Sequence, residues 1–144
     1  MEKVKVVCKS GRMPKYETEG SAGMDITAFL DENICIAPGE RLLVPTGLYI
    51  ELPVGYEAQI RARSGLAIKE GISLVNGIGT IDSDYRGEIK VAIINHGSKD
   101  YVIEDGDRIA QMVISKYERA NLIQCDDLEQ TERGAGGFGH TGVK

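Results

Sequence analysis

Apolar residues in this chain recur at every second position. Val4-Lys5-Val6 alternates, as does Tyr56-Glu57-Ala58-Gln59-Ile60-Arg61-Ala62-Arg63, and Glu88-Ile89-Lys90-Val91 and Tyr101-Val102-Ile103-Glu104 continue the theme. A period of two gives an extended strand one face for a core and one for water, whereas a helix would need a period near 3.6. Two apolar runs, Leu42-Leu43-Val44 and Met112-Val113-Ile114, read as more deeply buried strands. Turn signals separate these segments: Ala37-Pro38-Gly39-Glu40, Leu52-Pro53-Val54-Gly55, Asn95-His96-Gly97-Ser98 and Glu104-Asp105-Gly106-Asp107. Only Ser64 to Glu70 predicts a short helix, with Ser64 as its N-cap. Many short strands punctuated by turns predict an all-β sandwich or barrel.

The 144 residues suit one domain, and a domain of this size buries about 68–70% of its unfolded surface. The pattern shows no internal repeat and no linker. We place a single domain at 1–128 and a mobile Gly-rich arm at 129–144. The formal charge of −5 argues against a nucleic-acid polymer as partner, which would need a basic face. It leaves room for a phosphorylated small molecule held by a few local arginines. No apolar run approaches the roughly 18 residues of a membrane span, and the N-terminus lacks the apolar region of a secretory signal. Cys8, Cys35 and Cys125 are odd in number and widely spaced. They fit neither a disulfide framework nor a zinc site, and free thiols point to the cytoplasm.

The C-terminal stretch Arg133-Gly134-Ala135-Gly136-Gly137-Phe138-Gly139-His140-Thr141-Gly142 matches two phosphate-binding patterns in letters only. Gly134, Gly136 and Gly139 have the dinucleotide-fingerprint spacing, and Gly134 to Thr141 imitates a Walker loop with His140 for lysine. Both patterns work at the start of a helix, whose amides hold the phosphate. Only Val143 and Lys144 follow, so no helix can form. What remains is a flexible Gly-rich tail, which is either a disordered terminus or an arm that closes over a flat anionic ligand, Phe138 stacking and Arg133 pairing with phosphate.

Four internal segments carry chemistry. Gly79-Thr80-Ile81-Asp82-Ser83-Asp84-Tyr85-Arg86-Gly87-Glu88-Ile89 reads as a hairpin with two acids and a tyrosine at its tip, and Asn76 stands just before it. Asn presents both a donor and an acceptor, which suits a base edge. Arg61-Ala62-Arg63-Ser64-Gly65-Leu66-Ala67 leaves a strand and opens the helix, bringing a guanidinium, a hydroxyl and backbone amides together for an anion. Ala22-Gly23-Met24-Asp25-Ile26-Thr27-Ala28 sets one acid among small residues. Gly106-Asp107-Arg108-Ile109-Ala110-Gln111-Met112 is a turn and strand, with Arg108 read as a structural ion pair. The two histidines have no metal-ligand spacing to cysteine, so a metal here would be a hard, oxygen-loving cation such as Mg²⁺.

In this order, the five segments resemble the trimeric deoxyuridine triphosphate nucleotidohydrolases (dUTPases) from about Ala22 to Gly142. The resemblance implies a jelly-roll-like β-barrel, a homotrimer whose active sites are shared between subunits, and hydrolysis of dUTP to dUMP and pyrophosphate. It implies that Asp82 deprotonates a water for attack on the α-phosphorus and contacts the sugar 3′-hydroxyl. Tyr85 would pack under the deoxyribose and exclude a 2′-hydroxyl. Asn76, with backbone groups near Gly79, Thr80, Ile81 and Lys90, would read uracil. Arg63, Ser64 and Gly65 would hold phosphate oxygens, and Gln111 would place the α-phosphate. Asp25 would reach Mg²⁺ through water, the metal being held mainly by the triphosphate. Arg133 would pair with the γ-phosphate and Phe138 would stack on the base. The chain departs from the commonest family pattern at His140, where serine is usual, and at Ala62, where proline is frequent. A deoxycytidine triphosphate deaminase shares the expected fold and nucleotide, and a nucleotide sensor without turnover is a further alternative.

Overall fold

A computed structural model describes residues 3–138, and strands dominate it. Ten strands and one helix run in the order β1 (Lys5–Cys8), β2 (Met24–Thr27), β3 (Ile34–Ile36), β4 (Arg41–Glu51), β5 (Tyr56–Arg61), α1 (Ser64–Glu70), β6 (Ile72–Leu74), β7 (Ile78–Ile81), β8 (Ile89–Asn95), β9 (Tyr101–Ile103) and β10 (Arg108–Lys116). One sheet has the order β1-β4-β8-β6 and a second the order β2-β10-β5-β7, while β3 and β9 form a separate pair. All pairings are antiparallel. Sheets packed face to face around one core make the all-β, jelly-roll-like architecture that the alternation predicts.

Strand β8 shows how the pattern becomes packing. Ile89, Val91 and Ile93 are fully buried, and Lys90 between them is exposed. Burying each such aliphatic side chain contributes about 1.5–3 kcal/mol. A one-residue slip would drive Lys90 into the core, so register is strongly fixed. The inner faces of β2, β4, β5 and β10 add Ile26, Val44, Leu48, Ile60 and Met112. The same parity refines the reading of Leu42-Leu43-Val44 as part of a more deeply buried strand. Val44 is buried, but Leu43 points outward with 62% of its surface exposed.

The hairpin expected around Asp82 is not one. β7 is hydrogen-bonded to β5 at the edge of the second sheet, whereas β8 lies between β4 and β6 in the first. Residues 82–88 therefore cross from one sheet to the other. The turn at Asn76, between β6 and β7, makes the opposite crossing at the same edge. A local sequence cannot distinguish the two connections, because both need a short polar turn between strands.

Asn95 was read as part of a turn, yet it is fully buried at the end of β8. Its Nδ2 donates to the Ile36 carbonyl at 2.9 Å and the Lys99 carbonyl at 2.8 Å, and its Oδ1 accepts from the Gly97 amide at 2.8 Å. Satisfying three groups offsets the cost of burying the amide. The last strand ends at Lys116, earlier than the approach to Leu128 where the sequence pattern fades. Residues 118–135 are exposed, including Leu122, Ile123 and Leu128. No helix is long and apolar enough to cross a membrane among the described residues. Gly139, His140, Thr141 and Gly142 of the arm lie outside them.

Candidate active site

Where β7 parts from β8, a cleft of about 430 Å³ opens, lined by Leu43, Thr80, Ile81, Asp82, Tyr85, Glu88 and Lys90. Asp82 stands one residue beyond β7. Its carbonyl accepts the Tyr85 amide at 3.1 Å, closing a turn. Arg86 Nη1 donates to the carbonyls of Ser83 at 2.7 Å and Tyr85 at 3.0 Å, which pins the turn from behind. The local Asx hydrogen bond usual for aspartates in turns is not made. Among the described residues, neither the Asp82 nor the Asp84 carboxylate has a hydrogen-bond or ion-pair partner. Tyr85 donates its hydroxyl to the Glu88 carbonyl at 3.0 Å and lays its ring over Gly87, where a Cβ would overlap it. Asn76 packs its amide nitrogen beside the backbone of Gly79, where an added Cβ would come within 3.3 Å of it and 3.2 Å of Ile60 Cβ. The glycine therefore lets the Asn76 turn lie flat against β7.

A second group assembles on β2, β10 and the start of α1. Asp25 Oδ1 accepts from Arg63 Nε at 3.0 Å and from Gln111 Nε2 at 3.5 Å, and Oδ2 accepts from Arg108 Nη1 at 3.2 Å. Cross-strand register between β2 and β10 places Gln111 directly opposite Asp25. Arg63, not Ser64, is the N-cap of α1, with extended backbone and no side-chain cap bond. Its guanidinium goes to Asp25 instead, so Ser64 becomes the first helical residue. Ser64 and Gly65 are exposed there, and first-turn amides lack partners within a helix. Arg108, read from sequence as a structural ion pair, does pair with an acid. The acid is Asp25 across the sheet rather than its neighbours Asp105 and Asp107.

One chain does not bring these two groups together. Gln111 pairs with Arg61 of β5, Arg61 pairs with Ile78 of β7, and Asp82 lies four residues farther along. With strands about 4.8 Å apart and a rise of about 3.3 Å per residue, their backbones are roughly 16 Å apart. Among the described residues of the arm, none bonds to either group. Arg133 Nε donates to the Gly136 carbonyl at 2.8 Å, within its own turn. Phe138 is fully exposed and adopts a left-handed φ of 52°. Three separate clusters of polar and aromatic side chains are thus set on one chain.

A sequence profile of the dUTPase family matches residues 9–142. The chain belongs to the dUTPase family. It is 54% identical over 141 residues to the deoxyuridine 5′-triphosphate nucleotidohydrolase of Finegoldia magna, covering 97% of this chain and 99% of that one. It is 60% identical over 133 residues to the enzyme of the same name from Rickettsia bellii, covering 92% and 89%. Its fold matches the solved dUTPase of Staphylococcus bacteriophage 80alpha with dUPNHPP at a TM-score of 0.89. There the identity is 28%, with coverage of 99% of this chain and 100% of that one.

The donor chemistry of this dUTPase bears on the Mg²⁺ that the resemblance implies. Among the described residues no three His, Cys, Asp or Glu side chains gather as a metal cage. Asp25 offers one carboxylate, 11% exposed, already shared by two arginines. Such a site fits Mg²⁺, which keeps several waters and takes one or two carboxylates together with substrate phosphates. Sequence reasoning missed Leu43 and Glu88 as cleft residues. Leu43 was legible in strand parity, but Glu88 carried no signal until the crossing at 82–88 was known.

Proposed function

We propose that this dUTPase cleaves dUTP to dUMP and pyrophosphate by attack of water on the α-phosphorus, with Asp82 as the general base. The observation that carries this reading is the Asp82 carboxylate, without a partner among the described residues, in a cleft it shares with Tyr85, Thr80 and Lys90. A base must be free to accept a proton, and a positioned one contributes about 10²–10⁴-fold. The family and its relatives give dUTP hydrolysis, and neither deamination of dCTP nor a sensor without turnover is favoured.

In this reading the cleft takes the nucleoside. Asn76 and the backbone of Gly79, Thr80, Ile81 and Lys90 read the uracil edge, and the narrow space between β7 and β8 excludes a 5-methyl group. The Tyr85 ring lies under the deoxyribose and leaves no room for a 2′-hydroxyl. Arg63, Ser64, Gly65 and Gln111 take the triphosphate, and Arg133 and Phe138 close the site on the γ-phosphate and the base. Asp25 would reach Mg²⁺ through water, and the metal, bound to the triphosphate, would neutralise charge on it. Water attacks as Asp82 removes its proton, the bond from the α-phosphorus to the bridging oxygen breaks, and pyrophosphate leaves. Closure of residues 129–144, an arm appended to the 1–128 domain, excludes bulk water and strengthens each polar contact.

The roughly 16 Å between Gln111 and Asp82 supports a site built between chains of a homotrimer, one giving Asp82 and another Gln111. The free thiols of Cys8, Cys35 and Cys125 support a reducing compartment, the cytoplasm.

Two experiments test the reading. Hydrolysis in H₂¹⁸O should deliver the label to dUMP, and label in pyrophosphate would refute attack at the α-phosphorus. Asp82→Asn and Gln111→Ala proteins, each inactive alone, should regain activity when unfolded and refolded together. A mixture as inactive as its parts would mean that sites are not shared.

A further inference from the structure

We propose that Glu88, to which the reading above gives no role, is a positioning residue that sets Tyr85 in the cleft and thereby the selectivity for deoxyribose over ribose. The proposal rests on the reading of Tyr85 as the floor of the sugar site.

Three contacts converge on Glu88. The carboxylate Oε1 accepts the Gly47 amide at 3.0 Å. Oε2 lies 3.9 Å from Lys90 Nζ at the lip of the cleft. The Glu88 carbonyl accepts the Tyr85 hydroxyl at 3.0 Å. The side chain is 21% exposed and lines the same cleft as Asp82 and Tyr85.

The Gly47 contact has a cause in the sheet. The β4–β8 register shifts between Pro45, opposite Lys90, and Leu48, opposite Ile89. This bulge takes Thr46 and Gly47 out of the ladder. Side chains replace the lost ladder bonds: Thr46 Oγ1 donates to the Ile89 carbonyl at 2.6 Å, and Glu88 receives the Gly47 amide. Gly47 has a φ of +69°, and a Cβ there would come within 2.8 Å of Phe29 Cδ1. Its carbonyl also accepts the Lys9 amide at 2.8 Å, so the bulge is tied down on both sides. Bulges near active sites re-aim neighbouring side chains. Here the fixed bulge holds Glu88, and Glu88 holds the hydroxyl end of Tyr85. The ring is confined between that bond and Gly87, which fixes its height in the cleft.

The test compares kcat/KM for dUTP with that for UTP in the full-length protein, alongside thermal unfolding. Glu88→Ala leaves the Gly47 amide without an acceptor. It should lower the dUTP-to-UTP ratio by about 10-fold, on the scale of a small misplacement of a positioning group. The loss should appear as gained UTP hydrolysis. Glu88→Gln keeps an oxygen for Gly47 and should restore the parent ratio. If Glu88→Ala does not fold, Glu88→Asp decides in the same way, because its carboxylate is drawn back by about 1.5 Å. A lower melting temperature with an unchanged ratio in these variants would overturn the proposal and leave Glu88 a purely structural residue. Tyr85→Ala serves as the reference. If it loses the ratio while the Glu88 variants keep it, only the Glu88 proposal fails. If Tyr85→Ala itself keeps the ratio, the sugar-floor reading fails and the proposal with it.

Discussion

Arg63 Nε donates to Asp25 Oδ1 at 3.0 Å although 38 residues separate the two in sequence. The bond joins the strand that enters the barrel at β2 to the cap of α1. With Arg108 on the other oxygen, Asp25 holds two cations that would otherwise repel each other. The same carboxylate is the one expected to meet Mg²⁺ through water. In the proposed reading Arg63 would turn from Asp25 to phosphate, and Asp25 would hold Mg²⁺ through water, the metal neutralising charge on the triphosphate.

Asp25→Asn removes the anion and leaves both guanidinium groups without charge compensation. Charge-assisted hydrogen bonds are worth about 1.5–3 kcal/mol, and the variant should lose stability on that scale, read as a lower urea midpoint at unchanged m-value. The activity that remains should need more Mg²⁺ for half-saturation, measured by titrating the metal against pyrophosphate release.

Asp82→Asn should behave in the opposite way. The side chain has no partner among the described residues, so stability should move by less than about 0.5 kcal/mol. Turnover should fall by about 10²–10⁴-fold, while binding of dUPNHPP, followed by calorimetry, stays near the parent value. Parent-like turnover would remove Asp82 as the base.

Phe138→Ala should leave the melting temperature unchanged, because the ring touches nothing on the barrel. Loss of stacking should weaken nucleotide binding by about 1–3 kcal/mol, seen as a raised KM for dUTP. An unchanged KM and kcat would mean that the arm does not cap the base.

Acid should unfasten one clamp in particular. The Leu30 amide and then Arg12 hold the Asp105 carboxyl below its ordinary value of 3.8. Arg12 Nη2 lies 2.7 Å from Asp105 Oδ1, and Arg12 Nη1 lies 3.1 Å from Oδ2. A depressed folded value means stability that is present above pH 3.8 and is lost as pH falls through the lower folded value. The parent should therefore exceed Asp105→Asn in stability at neutral pH, with the difference shrinking as pH drops below that point. Denaturant midpoints of both proteins across the acid range read it directly, and a constant difference would contradict the linkage.

The fold class was legible in the sequence, and the residues proposed to carry the chemistry stand in short local motifs. Alternation along β8 and β5 specifies inner and outer faces because side chains of a strand alternate by covalent geometry, whatever the strand pairs with. The span Ser64 to Glu70 was read as the helix it is, since its local propensities are uncontested. The sequence by itself thus determined which segments extend, which faces turn inward and which short segments hold Asp82, Asp25 and Arg63. It did not determine that β7 and β8 belong to different sheets, that Asn95 is a buried anchor, or that Arg63 is the cap of α1 with its side chain turned to Asp25. Nor did it give Glu88 its place beneath the bulge at Gly47. Arg63, Asn95 and Glu88 each depend on a partner 38 or more residues away in the chain, and β7 depends on its pairing with β5 across the helix between them. Non-local pairing is decided by which complete set of faces can be buried together, and only the assembled barrel contains that information.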